Sequence, residues 1–300
     1  DALPIYKDRI SFLMKCKYPV VLDKTRVVTC GKCDPCRINK RREWTHRIML
    51  EASQYKDNCF LTLTYDNEHD PITLVPDDLT KFVKRLRHTH DEAIRFYAVG
   101  EYGEGKGRAH FHLCLFNYPT CEWLETRAER RRCCYRCDLV QKTWGQGNVY
   151  LGRLERKSAQ YVAGYTLKDV PDYKDFSFLQ RPFARMSNRP GIGAGVAHEI
   201  ASVMLEHNID EVPTVLRHGK RMFPLGRYMR DQIAKYSGVP KKANDYKNPA
   251  VQRLSEEIYQ NPAIRPEYKQ FYLSQALCDL TNDRAVATER KEASRKRRRV

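Results

Sequence analysis

The sequence predicts an α+β protein: an antiparallel sheet of about five strands backed by helices, with helical extensions at both ends. Three observations predict it. Segments rich in β-branched and aromatic residues alternate with segments of helical periodicity, in the order strand, helix, strand, strand, strand, helix. A short glycine-rich turn joins the second and third strands, which sets them antiparallel. Hydrophobic residues make up 41% of the 300 residues, enough for a packed core and too many for wholesale disorder.

The first 29 residues are basic and show no strong pattern. Cys30-Gly31-Lys32-Cys33-Asp34-Pro35-Cys36 is a turn-rich knot. Ile38 to Tyr55 contains neither Gly nor Pro, and Trp44, Ile48, Ala52 and Tyr55 recur at helical spacing, so this is a helix with a basic exposed face. Cys59 to Tyr65 reads as the first strand. Asp77 to His88 is the next helix, acidic in its first turn and basic later as the helix dipole favours, with Leu79, Phe82, Val83 and Leu86 as its apolar face. Ile94 to Glu101 and Arg108 to Phe116 are strands flanking the turn Gly103 to Gly107. An Arg- and Cys-rich insertion, 117–144, precedes the strand Asn148 to Glu155. Ser158 to Lys168 is a helix with Ser158 as its N-cap. Beyond Asp169 strand signals are fewer, and the last 50 residues are polar and helical, ending in Arg295-Lys296-Arg297-Arg298-Arg299. The chain therefore reads as a basic, Cys-containing segment and helix (1–56), a core with an insertion (57–170), and a basic C-terminal region (171–300).

The formal net charge is +17 and the pI about 9.4. Such a charge favours a polyanionic partner, nucleic acid before others. No apolar run approaches the roughly 20 residues that span a bilayer. The opening Asp1-Ala2-Leu3-Pro4 lacks the basic and apolar regions of a signal peptide. A soluble intracellular protein without a membrane partner is expected. Eleven cysteines, an odd number, argue against a disulfide framework and for metal binding or buried thiols.

His110 and His112 flank Phe111 on one strand, so their imidazoles share a face about 6–7 Å apart along the chain and can chelate one cation. Phe111, Leu113 and Leu115 take the opposite face and pack on helices. Glu101, across the turn, can complete a site of two imidazoles and one carboxylate; Glu104, in the turn itself, competes with it. Tyr161 and Tyr165 lie one helical turn apart on one stripe, continued by Lys168. Gly164 between them allows another backbone to approach closely. A phenol is a weak nucleophile at neutral pH, but beside a bound cation and a lysine it can attack a phosphate, leaving a 5′-phosphotyrosine and a free 3′-hydroxyl. Cys30, Cys33 and Cys36, joined by Cys133, Cys134 and Cys137 if the insertion folds back, can form a tetrahedral structural zinc site. Met186 to Gly195 carries Arg189 and can wrap a phosphate backbone through exposed amides. It lacks the Gly-Lys-Ser/Thr of a nucleotide-hydrolysis loop, so any helicase is a partner.

The motifs CGKCDPCR (Cys30 to Arg37), REW (Arg42 to Trp44), FLTLTYD (Phe60 to Asp66), GEYGEGKGRAHFHLCLF (Gly100 to Phe116), YVAGYTLK (Tyr161 to Lys168) and MSNRPGIG (Met186 to Gly193) resemble the replication initiation proteins of gokushoviruses, small single-stranded DNA phages of the Microviridae. More broadly the chain resembles HUH endonucleases with two tyrosines. The resemblance implies a ferredoxin/RRM-like core. It implies His110 and His112 as ligands of Mg²⁺ or Mn²⁺, with Glu101 as the third, and Tyr161 and Tyr165 as nucleophiles; Lys168, on the same stripe, is expected to add charge stabilisation. Arg108, Arg189, Arg295, Arg297, Arg298 and Arg299 are the expected phosphate contacts. The implied partners are single-stranded and supercoiled double-stranded phage DNA at the origin, with host helicase and polymerase, in the cytoplasm of a bacterial host cell. Two alternatives stand beside this reading. One is a non-enzymatic RRM-like binding protein stacking bases on Phe111 and Tyr97. The other is a transposase or plasmid relaxase of the same chemistry.

Overall fold

The computed structural model describes residues 16, 18, 20–21, 27–90, 92–103, 107–124, 133–165, 179–241, 249–273 and 275–276. The chain divides into two units, one of residues 41–214 with 225–239 and the other of residues 1–40, 215–224 and 240–300.

In the first unit five strands form one antiparallel sheet: β3 (Asn58–Tyr65), β4 (Arg95–Tyr102), β5 (Ala109–Phe116), β6 (Gly147–Arg153) and β7 (Phe183–Met186), in the spatial order β6-β3-β5-β4-β7. The expected α+β fold is borne out. Pairing across the turn sets Glu101 opposite His110 and Val99 opposite His112. The strand β6 opens on Gly147, at φ +145°, where a Cβ would stand 2.3 Å from the Thr64 carbonyl oxygen, so only glycine fits.

Helices cover both faces of the sheet. One face, formed by Leu61, Leu63, Tyr65, Phe111, Leu113, Leu115 and Leu151, is buried against α2 (Pro76–His88) and α3 (Tyr135–Trp144). The predicted apolar face of α2, Leu79, Phe82, Val83 and Leu86, is the buried one. Trp144 anchors this layer, its ring within 6 Å of the Tyr65, Phe82 and Phe111 rings. The other face presents Tyr97, Val99, Cys114 and Phe116 to Ile48 and Ala52 of α1 (Asp34–Ala52) and to Ala159, Val162 and Ala163 of α4 (Arg156–Tyr165). Downstream, α5 (Gly195–Glu206) and α6 (Arg227–Ser237) pack on each other.

Several local expectations are corrected. Ser158 is not the N-cap of α4. It sits in the first turn, where its hydroxyl accepts the Glu155 N–H at 2.8 Å, so the helix starts two residues earlier. Among the described residues a Cβ on Gly164 would meet only the Arg41 Cδ, at 3.4 Å, and no backbone approaches there. The amides of the 186–195 loop turn inward: Gly191 N–H donates to Tyr228 Oη at 2.9 Å and Gly193 N–H to Glu51 Oε2 at 2.6 Å. These two amides hold the loop to α1 and α6 and are not free to meet a phosphate.

In the second unit β1 (Val20–Val21) pairs with β2 (Val27–Val28), and β8 (Val215–His218) pairs with β9 (Arg221–Pro224). The helix α7 (Pro249–Gln260) buries Ile258 against Leu273. Among the described residues no helix is long and apolar enough to cross a membrane. The predicted Arg-rich end, 295–299, lies outside the described residues, as do Lys168 and Glu104.

Candidate active site

The strand β5 alternates strictly, so His110 and His112 leave the α2/α3 face and point to the α1/α4 face. Glu101 comes from the neighbouring β4 at the register position opposite His110. The three side chains converge. His110 Nε2 lies 3.0 Å and His112 Nε2 3.1 Å from the same oxygen, Glu101 Oε1. All three side chains are largely buried. Burial pushes the Glu101 carboxyl up, but hydrogen bonds from the two imidazoles outweigh it and hold it below the ordinary carboxylate value.

Each imidazole is held from behind. His110 Nδ1–H donates to the Arg108 carbonyl at 3.1 Å. His112 Nδ1 lies 3.0 Å from Thr62 Oγ1, which faces it across the β3–β5 register. The Phe60 ring stacks on His112 at 5.6 Å. With Nδ1 fixed in this way, each ring directs Nε2 at Glu101.

Tyr161 and Tyr165 are brought to the same place. Ala159, Val162 and Ala163 seat α4 on the sheet, which leaves the two phenols on the stripe beside the histidines. The rings meet edge to face at 4.6 Å. Tyr161 Oη stands 3.5 Å from His112 Nε2, while the Tyr165 ring lies against His112 at 5.6 Å and 22°. Tyr161 is 47% exposed and Tyr165 is half-buried. Burial, the hydrogen bond with Tyr161 and the Glu101 charge all push the Tyr165 phenol well up.

Of the remaining expected residues, Arg108 and Arg189 are among those described. The Arg108 guanidinium is engaged with Asp70 Oδ2 at 3.1 Å, the Tyr65 carbonyl at 3.2 Å and Asn67 Oδ1 at 2.5 Å, clamping the loop after β3. Arg189 is exposed. Each cysteine group is complete within its own unit. Cys30, Cys33 and Cys36 gather with Cys16, and Cys133, Cys134 and Cys137 with Cys121. Each group thus completes itself from a cysteine N-terminal to it, and the expected single site spanning both is corrected to two separate clusters. Thr62 and Phe60 also went unforeseen. Their signal was the strand alternation that puts them on the histidine face of β3.

Phe111 and Tyr97, the stacking residues of the RNA-platform alternative, are both 0% exposed. Phe111 is packed between Tyr65, Trp144 and Phe183, and Tyr97 lies against Trp44. A base cannot reach either ring, because helices cover both faces of the sheet.

The fold and site define a class: an antiparallel α+β sheet whose two histidines and one glutamate face a pair of helix-borne tyrosines. Residues 58–170 match the family model of the ORF2-type replication-associated protein. The replication-associated protein VP4 of Bdellovibrio phage phiMH2K is 29% identical over 254 residues, covering 81% of this chain and 78% of the relative. Replication-associated protein ORF2 of Spiroplasma virus 4 is 34% identical over 178 residues, 55% of each chain. Replication-associated protein ORF4 of Chlamydia phage 1 is 32% identical over 152 residues, 46% of this chain and 37% of the relative. Residues 58–170 are thus similar to ORF2-type replication-associated proteins, and the resemblance to phage replication proteins read from the motifs is borne out. No solved structure matches the chain.

Proposed function

We propose that this chain initiates rolling-circle replication of a single-stranded DNA phage by nicking one strand at the origin and joining itself to the 5′ end. The observation that carries the reading is the convergence of Glu101, His110 and His112 on one point, with Tyr161 Oη 3.5 Å from His112 Nε2. The relatives' names, all replication-associated proteins of phages or a virus, support the same role.

The donor set fits a divalent cation. Two imidazole nitrogens and a carboxylate oxygen all lie within 4.8 Å of one another, and the hydrogen bond from His110 Nδ1 to a carbonyl is the support a ligating histidine needs. Mixed nitrogen and oxygen donors suit Mn²⁺, and Mg²⁺ more weakly. When bound there, such an ion supplies charge neutralisation for the oxygens of the scissile phosphate.

The chain's own residues then act as follows. Tyr161, the more exposed phenol, meets DNA first. Its oxygen bonds to phosphorus as the bond to the 3′-oxygen breaks. The phenol proton leaves to solvent, and the departing 3′-oxygen takes one up. The product is a 5′-phosphotyrosine and a 3′-hydroxyl, and the ester energy is retained for rejoining. Tyr165 holds its hydroxyl in reserve for the second transfer that closes the displaced circle. The +17 charge holds the DNA. Lys168 and the Arg295 to Arg299 tail are proposed to add phosphate contacts, and host helicase and polymerase to extend the free 3′ end.

The test is incubation with single-stranded origin DNA and Mn²⁺. A covalent adduct is expected, lost with EDTA and restored by Mn²⁺ or Mg²⁺. His110→Ala or His112→Ala is expected to abolish cleavage and leave most DNA binding. Undiminished cleavage by the double His variant refutes the site.

A further inference from the structure

Eight of the chain's cysteines stand in two groups of four that the nicking chemistry does not use. In each group the four Sγ atoms all lie within 4.8 Å of one another. Four thiolates about 2.3 Å from one tetrahedrally bound Zn²⁺ stand about 3.8 Å apart. The separations seen are 3.4 Å for Cys33–Cys36, 3.8 Å for Cys16–Cys33 and 4.0 Å for Cys30–Cys36. In the other group they are 3.6 Å for Cys121–Cys133 and 3.7 Å for Cys121–Cys134. These bracket the tetrahedral edge and are far too long for disulfides, whose sulfurs sit about 2.0 Å apart. We infer that the chain holds two structural zinc ions, one on Cys16, Cys30, Cys33 and Cys36 and one on Cys121, Cys133, Cys134 and Cys137.

The surroundings of each group are built for thiolates. The β1–β2 hairpin turns the chain back so that Cys30 N–H donates to Cys16 Sγ at 3.2 Å, and Cys33 N–H donates to Cys30 Sγ at 3.4 Å. Gly31, at φ +73°, makes the tight turn between them that a side chain disfavours. In the second group Cys134 is the N-cap of α3 and Cys137 lies in its first turn, where the helix dipole favours negative sulfur. Cys59 and Cys114 are the contrast: both are buried in the sheet core and belong to neither group.

Four protein ligands leave no open position, so both sites are structural. The four thiols release their protons as the metal binds. An iron–sulfur cluster spreads its thiolates over several irons and needs them further apart than these. The second site has a definite task. It ties Cys121, beyond the end of β5, to the start of α3, whose Val140 and Trp144 are buried in the core beneath β3 and β5.

The full-length chain, purified without chelator, is expected to carry two zinc ions by elemental analysis and native mass spectrometry. The count is made in the His110→Ala, His112→Ala background, so that zinc on the histidines does not enter it and failure of the nicking site leaves it unchanged. Cys33→Ser and Cys134→Ser should each lower the count to one, and the pair to none. Because a ligand variant can misfold, the unaltered cysteine set is also titrated with an organomercurial. Two equivalents of zinc should be released as eight thiols react, while Cys59 and Cys114 react only after denaturation. Exchange with Co²⁺ should give the intense tetrahedral thiolate bands of two sites. Iron in place of zinc, a single ion per chain, or a metal-free folded protein whose clustered thiols alkylate freely would overturn the inference.

Discussion

Replacing Thr62 by valine keeps the shape of the side chain and removes one hydrogen-bonding oxygen from behind His112. For His112 Nε2 to offer its lone pair to a cation, the ring proton must sit on Nδ1, and the Thr62 hydroxyl 3.0 Å away is then its acceptor. Valine leaves that N–H of a buried ring without this partner. The net loss of a neutral hydrogen bond is about 1 kcal/mol, or roughly 2–4 °C in Tm for a unit of this size. The effect on the cation should be larger. Outer partners of metal-bound histidines are worth about 10–100-fold in affinity, so the Mn²⁺ concentration giving half-maximal adduct should rise by that factor. Cleavage at saturating Mn²⁺ should return nearly to normal, because Thr62 touches neither phosphate nor phenol, and Thr62→Ser should restore the original metal dependence. The assay is adduct yield on denaturing gels across a Mn²⁺ titration, with thermal unfolding measured alongside. An unchanged half-saturation point would refute the orienting role. So would a loss that saturating metal cannot repair.

Three further outcomes are expected. The Tyr161→Phe, Tyr165→Phe double variant should form no adduct; Tyr161→Phe should lose most first cleavage, and Tyr165→Phe should still nick but release no closed circle, as read by peptide mapping and circle formation. Deleting residues 295–299 should flatten the log–log salt slope of single-strand binding by up to about 3.5, at about 0.7 for each phosphate no longer neutralised, and an unchanged slope would show that the tail touches no phosphate. Glu51→Ala should destabilise the fold by about 3 kcal/mol in chemical denaturation, because Glu51 is buried, pairs with Arg95 and accepts the Gly193 amide, and its removal leaves that amide without its acceptor and Arg95 with only the Pro190 carbonyl.

Much of this architecture was legible because it rests on local periodicity. The alternation of β5 placed Phe111, Leu113 and Leu115 opposite the histidines, and the i, i+4 spacing placed Tyr161 beside Tyr165; both relations follow from backbone geometry alone. What escaped depends on contacts distant in sequence. The strand β7 has only four residues and pairs with β4 across more than eighty positions. Thr62 acquires its partner fifty residues away through sheet register. The 186–195 loop looked open because its glycines and Arg189 suggest a phosphate cradle. Its amides are instead taken by Glu51 and Tyr228, which no local pattern announces. Cys16 and Cys121 stand fourteen and twelve residues before the close-spaced cysteines they join, so short-motif spacing misses them.

In the proposed mechanism the second covering helix is what turns a histidine pair into a reactive centre. A sheet face left open to water would hydrate Glu101, His110 and His112 separately and leave their relative positions loose. Here α4 lies over that face and is held there by Ala159, Val162 and Ala163, small residues that let the helix sit close. The same close seat fixes the phenols. Tyr161 reaches the His112 nitrogen and Tyr165 lies flat against its ring, so the two hydroxyls approach one point from adjacent turns of a single rigid element. Exchanging their roles then requires rotation of side chains and no displacement of α4. The proposed pair of successive strand transfers uses this arrangement: in that scheme the helix keeps the first phosphotyrosine in register while the second phenol turns toward the same charge-stabilising cluster.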